Sequence, residues 1–96
     1  MYKDIKAIYD KTRLDFFSMA TTHLMDIGWD QATEITDEEI NAIEMPEHSF
    51  MTTEFVRDLN RTAREIAQAC SPVEFIQFCQ VEKLYDTKEF KKGARA

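Results

Sequence analysis

Residues 52–75 read TTEFVRDLNRTAREIAQACSPVEF, and this stretch sets the fold class because it contains one long amphipathic helix and the start of another. Apolar and small side chains recur at steps of three and four residues, which places them on one helix face. Charged and amide side chains occupy the opposite face. The pattern predicts a helix from Thr52 or Thr53 to Cys70, with an apolar stripe made of Phe55, Val56, Leu59, Thr62, Ala63, Ile66, Ala67 and Cys70.

The next four residues, Ser71-Pro72-Val73-Glu74, mark a new helix start. Ser71 can be the N-cap, Pro72 sits at the first helical position, and Glu74 completes a capping box. We expect this helix to run to Tyr85 or Phe90. Its apolar side chains lie almost all the way round, so either the helix is central or another molecule covers one flank. They are Val73, Phe75, Ile76, Phe78, Cys79, Val81, Leu84, Tyr85 and Phe90.

The N-terminal quarter of the chain has a similar helical period and predicts one long helix from Lys3 to Asp26. Gly28 follows where a C-terminal cap would sit. One stripe consists of Ile5, Ile8, Thr12, Phe16, Met19, Ala20 and His23, and a second of Leu14, Phe17, Thr21 and Leu24.

The segment after this helix predicts less regular structure. Residues 29–35 read as irregular, and Thr36 with Glu39 then has capping-box spacing. A short helix should follow to about Met45, because Pro46 disfavours helical geometry at the residue before it.

Together these elements predict an all-α fold, a small helical bundle of three long helices plus one short helix, with residues 1–96 forming a single domain. The chain has only two Gly and two Pro in 96 residues. All-β architectures need a turn residue every 8–12 positions or so, and this composition does not supply them.

Charge is concentrated in one segment. Residues 26–54 carry nine acidic groups and no Lys or Arg, whereas the whole chain has a net charge of −6. Direct nucleic-acid binding would need a basic footprint, so we do not expect it. The acidic segment (residues 26–54) is either a solvated surface or a recognition surface for a basic protein. Its candidate partner-binding residues are Asp30, Glu34, Asp37, Glu38, Glu44 and Glu47.

Catalytic, cofactor and metal sites are not expected from the remaining residues. The acidic segment lacks calcium-loop spacing, and His23 and His48 belong to no metal-binding motif. Cys70 and Cys79 fall on apolar stripes and are expected to be small core residues with reduced thiols, as in cytosolic proteins. The sequence has no apolar stretch typical of a signal peptide or membrane span, so we expect a cytoplasmic protein.

An Ala-containing helix, a break and a second helix follow one another between Asn60 and Gln80. The residues concerned are Ala63, Ala67, Ala69, Ser71-Pro72-Val73-Glu74-Phe75, Phe78 and Gln80. This order resembles phasins, the helical proteins that coat polyhydroxyalkanoate storage granules, which carry a break of the type A-x-[SD]-P-x-E-F. The resemblance implies no catalysis, self-association, and an apolar helix face applied to a polymer surface.

These features predict a non-enzymatic protein–protein interaction module, a small helical adaptor or inhibitor of the kind that phages encode. It would bind a basic partner through the acidic residues and through an apolar helix face made of Phe75, Phe78, Val81 and Tyr85. The chain would form a dimer or a larger assembly. One alternative is a phasin-like coat, and another is an acidic nucleic-acid mimic that blocks a DNA- or RNA-binding protein.

The helix start at Ser71 gives a first test. Replacing Ser71 with Ala should lower the free energy of unfolding by about 1 kcal/mol, because loss of an N-cap costs roughly 0.5–2 kcal/mol. Thermal or urea denaturation measures the change, and an unchanged stability would mean that no helix begins at this residue.

Overall fold

Six α-helices and no strand make up residues 2–82, the part of the chain that the computed structural model describes. The all-α class is therefore confirmed for this part. The helices are α1 (Tyr2–Lys11), α2 (Leu14–Ile27), α3 (Trp29–Thr33), α4 (Asp37–Ala42), α5 (Thr53–Ala69) and α6 (Pro72–Val81).

The single long N-terminal helix predicted from the sequence is wrong, because α1 and α2 are separate helices. The Thr12 hydroxyl donates to the carbonyl oxygens of Ile8 and Tyr9, at 3.1 and 3.2 Å. Arg13 then adopts an extended backbone with φ −77° and ψ 153°. A threonine hydroxyl that bonds back to the preceding turn slightly weakens a helix, and here the chain leaves helical geometry at the next residue. The hydrophobic period runs across the break since both helices bury side chains in one core.

Gly28 is confirmed as the cap of α2, but the residues after it are helical rather than irregular. Its backbone has φ +99°, and its N–H donates to the Leu24 carbonyl at 2.9 Å. The carbonyl of Gly28 accepts from the Ala32 N–H at 2.9 Å, so α3 starts at the next residue. A side chain at this φ would be strained, which explains why glycine joins the two helices.

The two capping boxes are both present. Thr36 accepts from the backbone N–H of Glu39, and Ser71 accepts from that of Glu74, with each glutamate bonding back to the N-cap residue. The helix after Thr36 ends at Ala42, earlier than predicted. The bounds of α5 agree with the sequence prediction to within one residue at each end.

The core is built around α5, which packs against α1, α2, α3 and α4. Phe17 of α2 lies at the centre of an aromatic cluster, with ring centroids 5.2 Å from Tyr9, 6.0 Å from Phe75 and 6.3 Å from Phe78. The cluster joins α1, α2 and α6. The buried core residues are Ile5, Ile8, Phe17, Ala20, Leu24, Ala32, Leu59, Ala63, Ile66, Ala67, Cys70, Phe75, Phe78 and Cys79.

The structure corrects the expected apolar face of the last helix. Phe75 and Phe78 are only 2% and 1% exposed, so the expectation that they face outward is wrong. They point inward because Tyr9, Phe17 and Trp29 offer aromatic partners. Val81 is exposed, as are Val73 and Ile76 of the same helix. Tyr85 and the predicted continuation of the helix to Tyr85 or Phe90 lie outside the described residues.

Ile66 tests whether the α5 stripe is the core. It is fully buried, so Ile66→Ala should lower the free energy of unfolding by about 2–5 kcal/mol. Ile76 is the matched control, because it is 47% exposed and its replacement by Ala should change stability far less, by about 0.5 kcal/mol. Urea denaturation of both variants measures the difference, and equal losses would contradict this assignment of the core.

Candidate functional site

Residues 29–45 of the acidic segment run antiparallel to α5. At one end the indole Nε1 of Trp29 donates to the carbonyl oxygen of Cys70 at 2.9 Å. At the other end the backbone N–H of Met45 donates to the Thr53 hydroxyl, also at 2.9 Å. Residues 29–45 are therefore held alongside the whole length of α5.

Between these ends, polar side chains of α5 donate to backbone carbonyls of the segment. Gln68 Nε2 donates to Thr33 at 3.0 Å, and Arg64 Nη1 donates to Ile35 at 3.1 Å. Thr33 is the last residue of α3 and Ile35 lies in the link to α4, so neither carbonyl has an intrahelical partner and both are open to donors. The segment is thus attached to α5 largely through its backbone rather than through its carboxylates.

Arg57 makes the corresponding contact at α4. Its Nη2 donates to the Asn41 carbonyl at 2.9 Å and its Nε donates to the Ile43 carbonyl at 3.1 Å. The sequence places Arg57 on the polar face of α5, but helical period alone does not distinguish a solvated arginine from one that holds a neighbouring helix.

The predicted acidic residues are brought to the surface by this arrangement. Side chains at all six positions are exposed: Asp30, Glu34, Asp37, Glu38, Glu44 and Glu47. Asp37 pairs with Arg64 at 2.8 Å, although its side chain remains 77% exposed. Within residues 2–82 the other five form no salt bridge. Their charge is therefore directed to solvent.

An apolar groove, here called the Phe50 groove, opens at the N-terminal end of α5. It has a volume of about 240 Å³ and is lined by Met19, Phe50, Met51, Thr52 and Phe55. Phe50 is fully exposed and Met19 is 38% exposed, so the placement of Met19 on a core-facing stripe is wrong. Phe50 belongs to no periodic stripe, and sequence reasoning did not identify it. The one signal was an aromatic residue between two predicted helices.

Local hydrogen bonds hold the loop that carries Phe50. The Ser49 N–H donates to the Pro46 carbonyl at 2.9 Å, and the Ser49 hydroxyl accepts from the Met51 N–H at 3.3 Å. Thr52 caps α5 by accepting from the Phe55 N–H at 3.1 Å. The ring of Phe55, which lines the groove, meets the ring of Phe16 edge to face, with centroids 5.6 Å apart.

A second exposed apolar surface, the α6 outer face, consists of Val73, Ile76 and Val81, with the exposed amides of Gln77 and Gln80 on the same side. No helix within residues 2–82 is both long enough and apolar enough to cross a membrane.

Packing and hydrogen bonding account for the two cysteines and for His23. Cys70 and Cys79 are both buried free cysteines, which confirms their expected place in the core. Burial raises the pKa of the Cys70 thiol to about 11, with smaller contributions from Glu74 and Cys79. That thiol is therefore protonated at neutral pH and packs as an apolar group. His23 Nε2 lies 3.0 Å from the Asn60 side-chain oxygen. Among residues 2–82, no three His, Cys, Asp or Glu side chains are grouped so that they could hold a metal ion.

No protein family, curated protein or solved structure matches this chain. The resemblance to phasins stays a prediction from the residues of the α5–α6 junction.

Arg57 tests the attachment of the acidic segment. Arg57→Gln should lower the free energy of unfolding by about 1–2 kcal/mol, because two carbonyl oxygens lose a charged donor. Hydrogen exchange of the α4 amides should also become faster.

Arg61→Gln is the matched control on the same helix. Within residues 2–82, Arg61 pairs with Asp58 alone, across one turn of α5, so its loss should cost about 0.5 kcal/mol or less. Equal effects of the two substitutions would show that the carbonyl contacts of Arg57 do not hold the segment.

Proposed function

We propose that this protein is a non-enzymatic interaction module that binds a basic surface of a partner protein through the acidic segment and an exposed apolar surface. The observation that supports this most is the backbone attachment of residues 29–45 to α5. It presents carboxylates at defined positions without neutralising most of them.

Preorganisation gives such a segment an energetic advantage in binding. A surface that is already ordered loses little conformational entropy on association, so more of the interaction energy appears as affinity. Nine acidic groups without a Lys or Arg in residues 26–54 also create a negative field, which speeds encounter with a basic partner.

Charge alone rarely gives tight binding, because exposed ion pairs contribute about 0–1 kcal/mol each. An apolar contact is therefore part of the proposal. Since Phe75 and Phe78 are buried, we assign this contact to the apolar side chains that remain exposed, in the Phe50 groove and on the α6 outer face. The α6 outer face is also the surface that a second copy would cover in a dimer.

The test uses two variants that remove three charges each. The first is Glu34→Gln, Glu38→Gln and Glu47→Gln within the acidic segment. The control is Asp10→Asn, Asp15→Asn and Asp58→Asn, which removes the same charge from exposed positions outside it.

A partner is captured from extracts of the native host at low salt with the tagged full chain, purified, and titrated with each variant. We expect the first variant to bind about tenfold more weakly, with a shallower salt dependence, and the control to bind like the wild type. Capture that is independent of these carboxylates would contradict the proposal. Granule binding that survives high salt would favour the phasin-like coat, and competition by DNA or RNA for the partner would favour the nucleic-acid mimic.

A further inference from the structure

We infer that the Phe50 groove is the anchor site for this basic partner and takes one large apolar side chain from a Lys- or Arg-rich amphipathic helix. The inference rests on the proposed function and assigns the position of its apolar contact. Three of the five residues that line the groove, Phe50, Met51 and Thr52, belong to the acidic segment.

The size of the groove favours a side chain over a small-molecule ligand. Its volume of about 240 Å³ lies below the range of roughly 300–1,000 Å³ that is typical of small-molecule sites. Two of the five lining residues, Met19 and Met51, are methionines, whose flexible thioethers adapt to the shape of a bound side chain. Methionine-containing grooves that receive the apolar face of a helix are a recurrent recognition mode.

Phe50 provides the feature that a partner would cover. It is fully exposed, whereas large apolar side chains of a domain are normally at least partly buried. The hydrogen bonds of Ser49 and the contact between Met45 and Thr53 fix the loop that carries this exposed ring. Aromatic side chains, including Phe, are enriched in the cores of protein interfaces, so this exposed ring suits a partner contact.

The acidic residues that flank the groove-lining residues 50–52 in the sequence, here called the acidic border, favour a basic occupant. Residues 44–54 contain Glu44, Glu47 and Glu54 and no Lys or Arg. The nearest arginine along the chain, Arg57, is engaged by the carbonyls of Asn41 and Ile43 and by Glu54 at 3.4 Å. A helix with one apolar face and lysines beside it therefore matches both the groove and its acidic border.

A second copy of this chain is a poorer occupant than a basic helix. Each copy carries a net charge of −6, so a copy docked at the acidic border would be repelled.

The experiment measures fluorescence anisotropy of a labelled Leu/Lys amphipathic peptide of about 18 residues, which forms five helical turns. A Leu/Glu peptide of the same pattern tests the charge, and a Ser/Lys peptide tests the need for apolar side chains. Phe50→Ala removes the exposed ring of the groove, and Met25→Ala on α2 is the control, since Met25 is also an exposed apolar side chain but belongs to neither the groove nor the α6 outer face.

We expect the Leu/Lys peptide to bind the wild type and the Met25→Ala variant equally, and to bind Phe50→Ala about 30-fold more weakly, the loss typical of a hot-spot residue. The Leu/Glu peptide should not bind. The Ser/Lys peptide should bind weakly and in the same way to all three proteins.

Two failures are distinguishable. Equal binding of the Leu/Lys peptide to the wild type and to Phe50→Ala would overturn the anchor site and leave the basic-partner proposal standing. No binding of either lysine peptide at low salt would count against the proposed function itself. A dimer of the protein alone that dissociates in Phe50→Ala would show that a second copy occupies the groove, which would also overturn the inference.

Discussion

The structure depends on α5, which packs into the core through its apolar face and donates hydrogen bonds through its polar face. Its apolar face carries Leu59, Ala63 and Ile66 into the core that α1 and α2 share. Its polar face uses Arg57, Arg64 and Gln68 to bind the carbonyls of residues 33–43. Short isolated helices are marginally stable in water, so α3 and α4 depend on this second set of contacts to stay helical.

The choice of backbone carbonyls as acceptors has a consequence for charge. A segment with nine carboxylates could have been held to a basic helix by salt bridges, and its charge would then have been neutralised. Here most cationic contacts go to carbonyl oxygens, and Asp37 is the predicted acidic residue that pairs with an α5 arginine among the described contacts. The arrangement thus combines a fixed conformation with a strong negative surface, the combination on which the proposed function rests.

The apolar side chains of α6 divide between two environments. Phe75 and Phe78 complete the aromatic cluster around Phe17, while Val73, Ile76 and Val81 stay in contact with solvent. A wide apolar arc is compatible with a central helix and with an external one, so the pattern alone could not assign these side chains to either environment. The same ambiguity concealed the groove, since Met19 continues the helical period of residues that are buried.

Local interactions could be predicted from the sequence alone. The two capping boxes, the proline at the start of α6, the glycine cap of α2 and the bounds of α5 depend on residues no more than four positions apart, whose chemistry is visible in the sequence. The acidic candidates were also predictable, because charge of one sign rarely enters a core. Only the tertiary structure determined which apolar side chains are covered and which polar side chains of α5 hold α3 and α4. These outcomes depend on partners 14–41 residues away along the chain, such as Ile43 for Arg57 and Cys70 for Trp29, and helical period carries no information about such distant partners.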